Sequence, residues 1–325
     1  MLHYDLEQNK FQKNKKDPLN YDLLIVDEFS MVDQWLFHNL LQASYLAKKI
    51  LIIGDEDQLP SVGCGNVISD LLHSNLFHVS ALTKVFRQSK ESGIIPLAHQ
   101  IKNDQLEYVQ NGNGVLFIEE NDDELIRKYI VDIAQEALNK SYDVKDLQVL
   151  SPMYKGSCGI DSLNNSLQAL MNPYHELKPE VRVGFKTFRV NDKVLQLKNQ
   201  SEDDVYNGDI GEIIDIEIEN KQYVITAQFQ ENTCSYTSEN ISQLTHAFCV
   251  SVHKSQGGEY PIVIIPITRR HSYMLDKRLL YTAITRAKKS LILIGDHNLF
   301  KQQVLRKDKT IRKTTLKDRL IACIK

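Results

Sequence analysis

The chain has little cysteine and uses it without pattern. Its five cysteines (64, 158, 234, 249 and 323) are scattered and form no Cys-x-x-Cys pair. That spacing argues against a disulfide frame or a zinc site, and for reduced thiols in a cytoplasmic compartment. No apolar run approaches the roughly 18 residues of a membrane span, and the N-terminus is too polar for a signal peptide. Net charge is −3, so global charge gives no support for nucleic-acid binding. The most informative lack is chemical. No G-x-x-x-x-G-K-[ST] phosphate-binding loop occurs anywhere. Lys155-Gly156-Ser157 has the wrong order, and His253 precedes Lys254-Ser255 where the motif needs glycine.

What is present is otherwise ordinary. At 325 residues, 42% hydrophobic and 25% charged, the chain can bury a large core in one to three domains. Charge is uneven: residues 301–325 hold nine Lys/Arg against two Asp. Lys10, Lys13, Lys15 and Lys16 cluster in a polar start that reads as a solvated loop. Strands and helices then alternate. Leu23–Asp27 and Lys49–Gly54 read as buried strands around a helix at Val32–Ala47, a βαβ rhythm that predicts a parallel sheet. Phe77–Leu82 reads as another strand. Ile94–Ile101, Glu124–Leu138 and Asp161–Leu170 read as helices, with a strand at Gln148–Leu150. Between 176 and 245 the rhythm changes to short β segments (Lys193–Leu197, Gly211–Glu217, Tyr223–Phe229), with a hairpin signal at Asn207-Gly208. This predicts a small β-barrel-like insertion. From His246 the α/β rhythm resumes, with strands at Val263–Pro266 and Leu291–Gly295 and a helix at Leu275–Ile284. Leu316, Leu320 and Ile324 then recur at helical spacing.

The chemistry collects at strand ends. Asp27-Glu28 closes the first buried strand, where one carboxylate can hold Mg²⁺ and the next can activate water. Phosphoryl transfer depends mostly on such positioning and charge neutralisation. A surface acidic turn is the alternative for that pair alone. Gly54-Asp55-Glu56-Asp57-Gln58-Leu59-Pro60 follows the next strand, and Gln58 there can reach a γ-phosphate. Arg87, in Phe86-Arg87-Gln88, and Arg286, in Thr285-Arg286-Ala287, each offer charge to a transition state. A lone arginine would be read as a surface ion pair; their order and company point further.

That company resembles a known family. The segments 27–31 (Asp-Glu-Phe-Ser-Met), 54–62, 85–88, 251–259 (Ser-Val-His-Lys-Ser-Gln-Gly-Gly-Glu) and 281–287 (Tyr-Thr-Ala-Ile-Thr-Arg-Ala) resemble motifs II to VI of superfamily-1 DNA helicases. The stretch 150–173 narrows the likeness to the RecD-like helicases, in the branch that works without the other exodeoxyribonuclease V subunits. The likeness spans about 20–300.

The resemblance implies an α/β architecture. Two RecA-like domains of the P-loop NTPase type, the first incomplete, carry an SH3-like β-barrel insertion in the second. The implied boundaries are a partial first domain at 1–84, the second domain at 85–175 and 246–305, the insertion at 176–245, and a basic helix or tail at 306–325. A strand-splitting pin hairpin would fall at 4–14. The family's motif I precedes this point, so the chain is expected to start within or just after motif Ia.

Carried over by position, Asp27 would bind Mg²⁺ and Glu28 would activate water. Gln58, Arg87 and Arg286 would touch the γ-phosphate of ATP, with Gly257 and Glu259 also at the nucleotide. Ser151, Pro152, Asn164, Ser251 and His253 would line the DNA path, and Tyr154 and Phe188 would either stack on bases or pack in the core. The expected activity is that of a monomeric, ATP-dependent 5′→3′ single-strand DNA translocase and helicase of recombination and repair. It would act on single-stranded and tailed duplex DNA, with no membrane partner, and possible partners are the missing N-terminal part and other repair proteins. Lacking motif I, this chain alone is expected to be inactive. The alternatives are a non-catalytic DNA-binding remnant or half of a split motor, and a conjugative relaxase-type helicase.

Overall fold

A computed structural model describes residues 2–5, 9–82, 88, 91–220, 222–306 and 312–324. The chain divides into two compact units, Met1–Val85 with Lys307–Lys325, and Phe86–Arg306.

The first unit opens with two short strands, β1 (Tyr4–Asp5) and β2 (Lys10–Phe11), paired antiparallel. Tyr4, Phe11 and Trp35 stack edge and tilt against one another at 4.8–5.6 Å between ring centres. The expected pin hairpin thus falls on a paired segment, and the polar start is more ordered than its composition implies. Next come β3 (Leu23–Val26), α1 (Gln34–Ala43), β4 (Lys49–Ile52) and α2 (Val67–His73). Strands β3 and β4 are parallel, with Val26 opposite Ile52. The Asp33 carboxylate accepts from the Leu36 N–H and starts α1. Leu24 packs into a core with Phe29, Leu40, Ala43 and Val67. The opposite face of the two strands is open: Leu23 and Ile25 are each 50% exposed, and Leu51 and Ile53 about as much. Residues 77–82 do not form the expected strand; Phe77, Val79 and Leu82 are exposed coil. Alternating apolar residues make a strand only where a neighbour accepts their backbone, and among the described residues β3 and β4 pair only with each other.

The second unit contains α3 (Ile94–Lys102), β5 (Val115–Glu119), α4 (Asp123–Asn139), β6 (Leu147–Leu150) and α5 (Ile160–Met171). After an insertion described below follow β14 (Cys249–Val250), β15 (Tyr260–Ile267), α6 (Lys277–Ile284), β16 (Ala287–Gly295) and α7 (His297–Leu305). Asp122, Asp276 and Asp296 cap α4, α6 and α7. The strands form a parallel sheet in the order β14-β6-β15-β16-β5. Its inner strands are buried nearly throughout, as a sheet covered on both faces requires.

Each edge of that sheet is closed by an asparagine side chain. On β14, the carbonyls of Phe248 and Val250 turn inward to Val149 and Ser151. The outward N–H and C=O of Cys249 both pair with the Asn164 amide, at 2.9 Å each. On β5, Asn111 accepts from the Phe117 N–H at 2.6 Å and donates to its carbonyl at 3.2 Å.

The insertion holds β7 (Glu180–Val183), β8 (Lys186–Arg189), β9 (Lys193–Gln196), β10 (Ile210–Glu219), β11 (Gln222–Phe229), β12 (Asn232–Tyr236) and β13 (Leu244–His246). Five strands pair in the order β12-β11-β10-β9-β13, while β7 and β8 form a ladder of their own. The expected SH3-like insertion is thus a small all-β unit; among the described residues no ladder joins β12 to β13. Phe188, one of the two candidate stacking residues, is 1% exposed within the insertion's core and unavailable to a base. Asn207-Gly208 is not the tip of a tight hairpin. Gly208 pairs back to Gln196, so the preceding residues loop out between β9 and β10.

The basic segment 301–325 is split. Its start belongs to α7 of the second unit, whereas α8 (Leu316–Ile324) belongs to the first unit, with Leu316 packed against the core.

Candidate functional site

Asp27 and Glu28 leave the carboxyl end of β3. Glu28 sits in the left-handed region (φ 49°), and its N–H donates to Asp27 Oδ1 at 2.8 Å. This reversal opens a short helical turn at Phe29–Met31 and turns the two carboxylates out of the strand line. The Phe29 N–H donates to the Ile53 carbonyl at 2.9 Å. Gly54 lies so close that an added Cβ would stand 3.2 Å from the backbone nitrogens of Phe29 and Ser30 and 2.6 Å from the Ile68 side chain. Glycine there lets the segment after β4 press against the segment after β3. Gln58 follows on that loop, half-buried, and its Oε1 is buried with no hydrogen-bond partner among the described residues. An orphaned buried acceptor is costly and calls for a donor from elsewhere. Among the described residues no group of three or more His, Cys, Asp or Glu could hold a metal by itself.

In the second unit, Arg286 is fully buried. It donates to the carbonyls of Thr282 (3.1 Å) and Gly258 (3.2 Å). Gly257 lies beside it with φ 76°, and Glu259 pairs with Lys288 at 2.7 Å. The Gln88 side chain donates to the Ala287 carbonyl at 2.8 Å. Three separate sequence segments thus meet around Arg286. Gln88 stood inside a quoted motif with no role assigned, and its burial is what the sequence did not reveal. Arg87 lies outside the described residues.

The expected DNA-path residues divide by exposure. Ser151 and Pro152 are buried, and Ser151 Oγ donates to the Cys158 carbonyl at 2.8 Å. Asn164 is buried on β14. Ser151 and Asn164 are bonded to the strand that leads into 251–255, through the Val250 carbonyl and the Cys249 backbone. Ser251 is half-buried, His253 is exposed, and Tyr154 is 57% exposed. Lys254 reaches Asn207 of the insertion, a contact no spacing in the sequence signals.

Comparisons with known proteins fit this geometry. Residues 163–229 match the model for the ATP-dependent RecD-like DNA helicase SH3 domain. Residues 246–294 match the UvrD-like helicase C-terminal domain, and 4–122 an AAA domain. The chain is 31% identical over 312 residues to the ATP-dependent RecD2 DNA helicase of Deinococcus radiodurans, covering 96% of this chain and 41% of that protein. The chain is RecD-like in sequence.

This RecD-like chain is also 24% identical to the RecBCD enzyme subunit RecD of Buchnera aphidicola, covering 88% of the chain and 56% of the relative. It therefore spans roughly two fifths to just over half of these relatives' lengths. Among solved structures, a Bacteroides Pif1 helicase in complex with ADP-AlF3 and single-stranded DNA aligns with TM-score 0.52 at 20% identity. That alignment covers 90% of this chain and 74% of the other. This likeness shows the fold: a parallel-sheet, RecA-like helicase architecture. Among the described residues no helix is long and apolar enough to cross a membrane.

Proposed function

We propose that these residues form the nucleotide-hydrolysing and strand-gripping parts of an ATP-dependent, 5′→3′ DNA helicase that acts as a monomer in recombination and repair. The observation that carries the nucleotide reading lies in the first unit. The carboxylate pair and Gln58 emerge from the same end of two strands in parallel register, and Gln58 Oε1 lacks a donor among the described residues. A magnesium–ATP complex with an attacking water suits that arrangement. Mg²⁺ is usually held by one or two carboxylates plus phosphate oxygens rather than by a protein cage, so the lack of a larger acidic cluster is no obstacle. Bound there, the metal would neutralise phosphate charge.

Each residue then has its own task. Asp27 holds the metal, Glu28 takes the proton from the attacking water, and Gln58 orients that water or reads the γ-phosphate. Arg87 and Arg286 supply charge to the transferring phosphoryl, and Gly257 and Glu259 lie along the nucleotide. Ser251 and His253 face single-stranded DNA from the platform made by Ser151, Pro152 and Asn164, with Tyr154 as a stacking partner. The β1–β2 pair, in the position of the expected pin, would meet the duplex junction. Reduced cysteines suit a cytoplasmic setting.

Two measurements test this reading. The isolated chain, lacking a phosphate-binding loop, is expected to show no DNA-stimulated phosphate release. Turnover near about 1 s⁻¹ or above would show that another segment replaces the loop. Joined in frame to a region carrying that loop, the chain is expected to unwind duplexes bearing a 5′ single-stranded tail. Unwinding from a 3′ tail alone would refute the assigned direction.

A further inference from the structure

Arg312 lies in the basic C-terminal stretch, where composition suggests a phosphate contact, yet its terminal nitrogens are already engaged. Nη1 donates to the carbonyls of Gly63 and Gly65, both at 2.7 Å, and Nη2 donates to the Ser61 carbonyl at 2.5 Å. A longer contact of 3.4 Å joins Nη1 to Ser61 Oγ. One guanidinium thus gathers three carbonyls of the loop that begins three residues after Gln58.

The other side of that loop is pressed against the start of α1. The Gln34 N–H donates to the Cys64 carbonyl at 2.9 Å. A Cβ on Gly63 would stand 1.9 Å from Asp33 Oδ2, and one on Gly65, which has φ +100°, would stand 3.0 Å from the Gln34 side chain. The loop therefore has no slack toward α1, and Arg312 closes it from the other side. Nearby, Thr314 donates to Asp70 on α2 at 2.8 Å, and Leu316 is seated in the first unit's core. The link back to Gln58 is stiff as well. Leu59 is buried, and Pro60 has a fixed φ.

We infer that Arg312 is a positioning residue for nucleotide hydrolysis. By organising the 61–65 loop, it holds Gln58 and its unpartnered amide oxygen in the orientation that meets the nucleotide. This rests on the nucleotide reading of Gln58 given above. Lysine cannot replace it, because a point ammonium on a flexible stem does not span three carbonyls as a planar fork does.

The test uses the chain joined to its phosphate-binding loop, as wild type, Arg312→Ala and Arg312→Lys. DNA-stimulated kcat is expected to fall about tenfold to a hundredfold in both variants, the scale that slight misplacement of a reacting group commands. KM for ATP should stay within about twofold, the pattern of a lost transition-state interaction. Millimolar guanidinium should restore part of the Arg312→Ala rate, which a globally destabilised protein would not show. Amide hydrogen exchange across 61–66 should speed up in Arg312→Ala while the amides of β3 and β4 stay protected. An active wild type with unchanged kcat in Arg312→Ala would overturn the inference. A wild type without DNA-stimulated turnover would instead sink the nucleotide reading. In that case unchanged exchange across 61–66 in Arg312→Ala would still overturn the role given to Arg312.

Discussion

At the scale of single residues, two cations of the second unit, Arg286 and Lys193, are buried against backbone carbonyls. Arg286 rests against the carbonyls of Thr282 and Gly258, which fix where its guanidinium sits. Arg286→Ala in a protein carrying the phosphate-binding loop is expected to lower kcat on the order of 10³-fold with single-strand binding largely kept; near-normal turnover would refute the role. Lys193 is the contrasting case. Its ammonium is buried, donates to the carbonyls of Leu147 (3.0 Å) and Val144 (3.3 Å), and lies 5.6 Å from the centre of the Tyr260 ring. Burial pushes its pKa down to about 7, against the opposing pull of Asp143 and Asp146. An unfolded lysine titrates near about 10.4, so between those values the unfolded chain binds more protons than the folded one. Stability is thus expected to rise with pH across that window, and the cost of the buried charge is full below about 7. Lys193→Met should stabilise the protein more at pH ~6 than at pH ~9.5, measured by denaturant unfolding. A gap independent of pH would show that Lys193 does not titrate there.

At the scale of elements, legibility followed packing. The strands at 23–27 and 49–54 and the helices at 94–101, 124–138 and 161–170 were readable from apolar periodicity, joined at 124–138 by the capping Asp122. The strand expected at 77–82 had periodicity but no neighbour. The β7–β8 hairpin and the edge strands β12 and β13 went unread because strands of three to five residues carry little apolar signal. The order in which the insertion's strands pair was not readable, because it depends on which edges meet, a property of long-range pairing that spacing does not encode. In the candidate site, the motif residues were legible by resemblance. Their supports, Gln88 on Ala287, Asn207 on Lys254 and Arg312 on the 61–65 loop, join residues too distant in sequence to be read from spacing. The open face of β3 and β4 has a measurable consequence. Exposed apolar strand faces favour self-association, so Ile25→Thr with Leu51→Thr should lower light scattering of the isolated chain at equal concentration. Stability should change by less than about 1 kcal/mol. Unchanged scattering would mean that this face does not drive association.

At the scale of the whole molecule, the two units are joined by chain at two places, between Val85 and Phe86 and again between Arg306 and Lys307. The excess basic charge of 301–325 is therefore divided: Lys301 and Arg306 stay with the second unit, and Arg312 is consumed within the first. Single-strand binding by the chain is expected to be weak and salt-sensitive, with a log–log slope near −0.7 for each phosphate contacted. Removing 312–325 should change that slope by less than one contact while lowering the melting temperature of the first unit. A large loss of slope on truncation would return the tail to DNA binding.

The asparagines at the two edges of the second unit's sheet act as molecular stoppers. Asn164 and Asn111 each offer one acceptor and one donor in the spacing of a peptide group, so each occupies the place of a strand that is not there. A parallel sheet with a free edge is a template on which any extended chain can grow. Here both growth points are plugged by a side chain too short to propagate. The width of the sheet is thereby a property written into two residues, and an isosteric leucine at either one would turn a finite sheet into one that invites extension by its own copies.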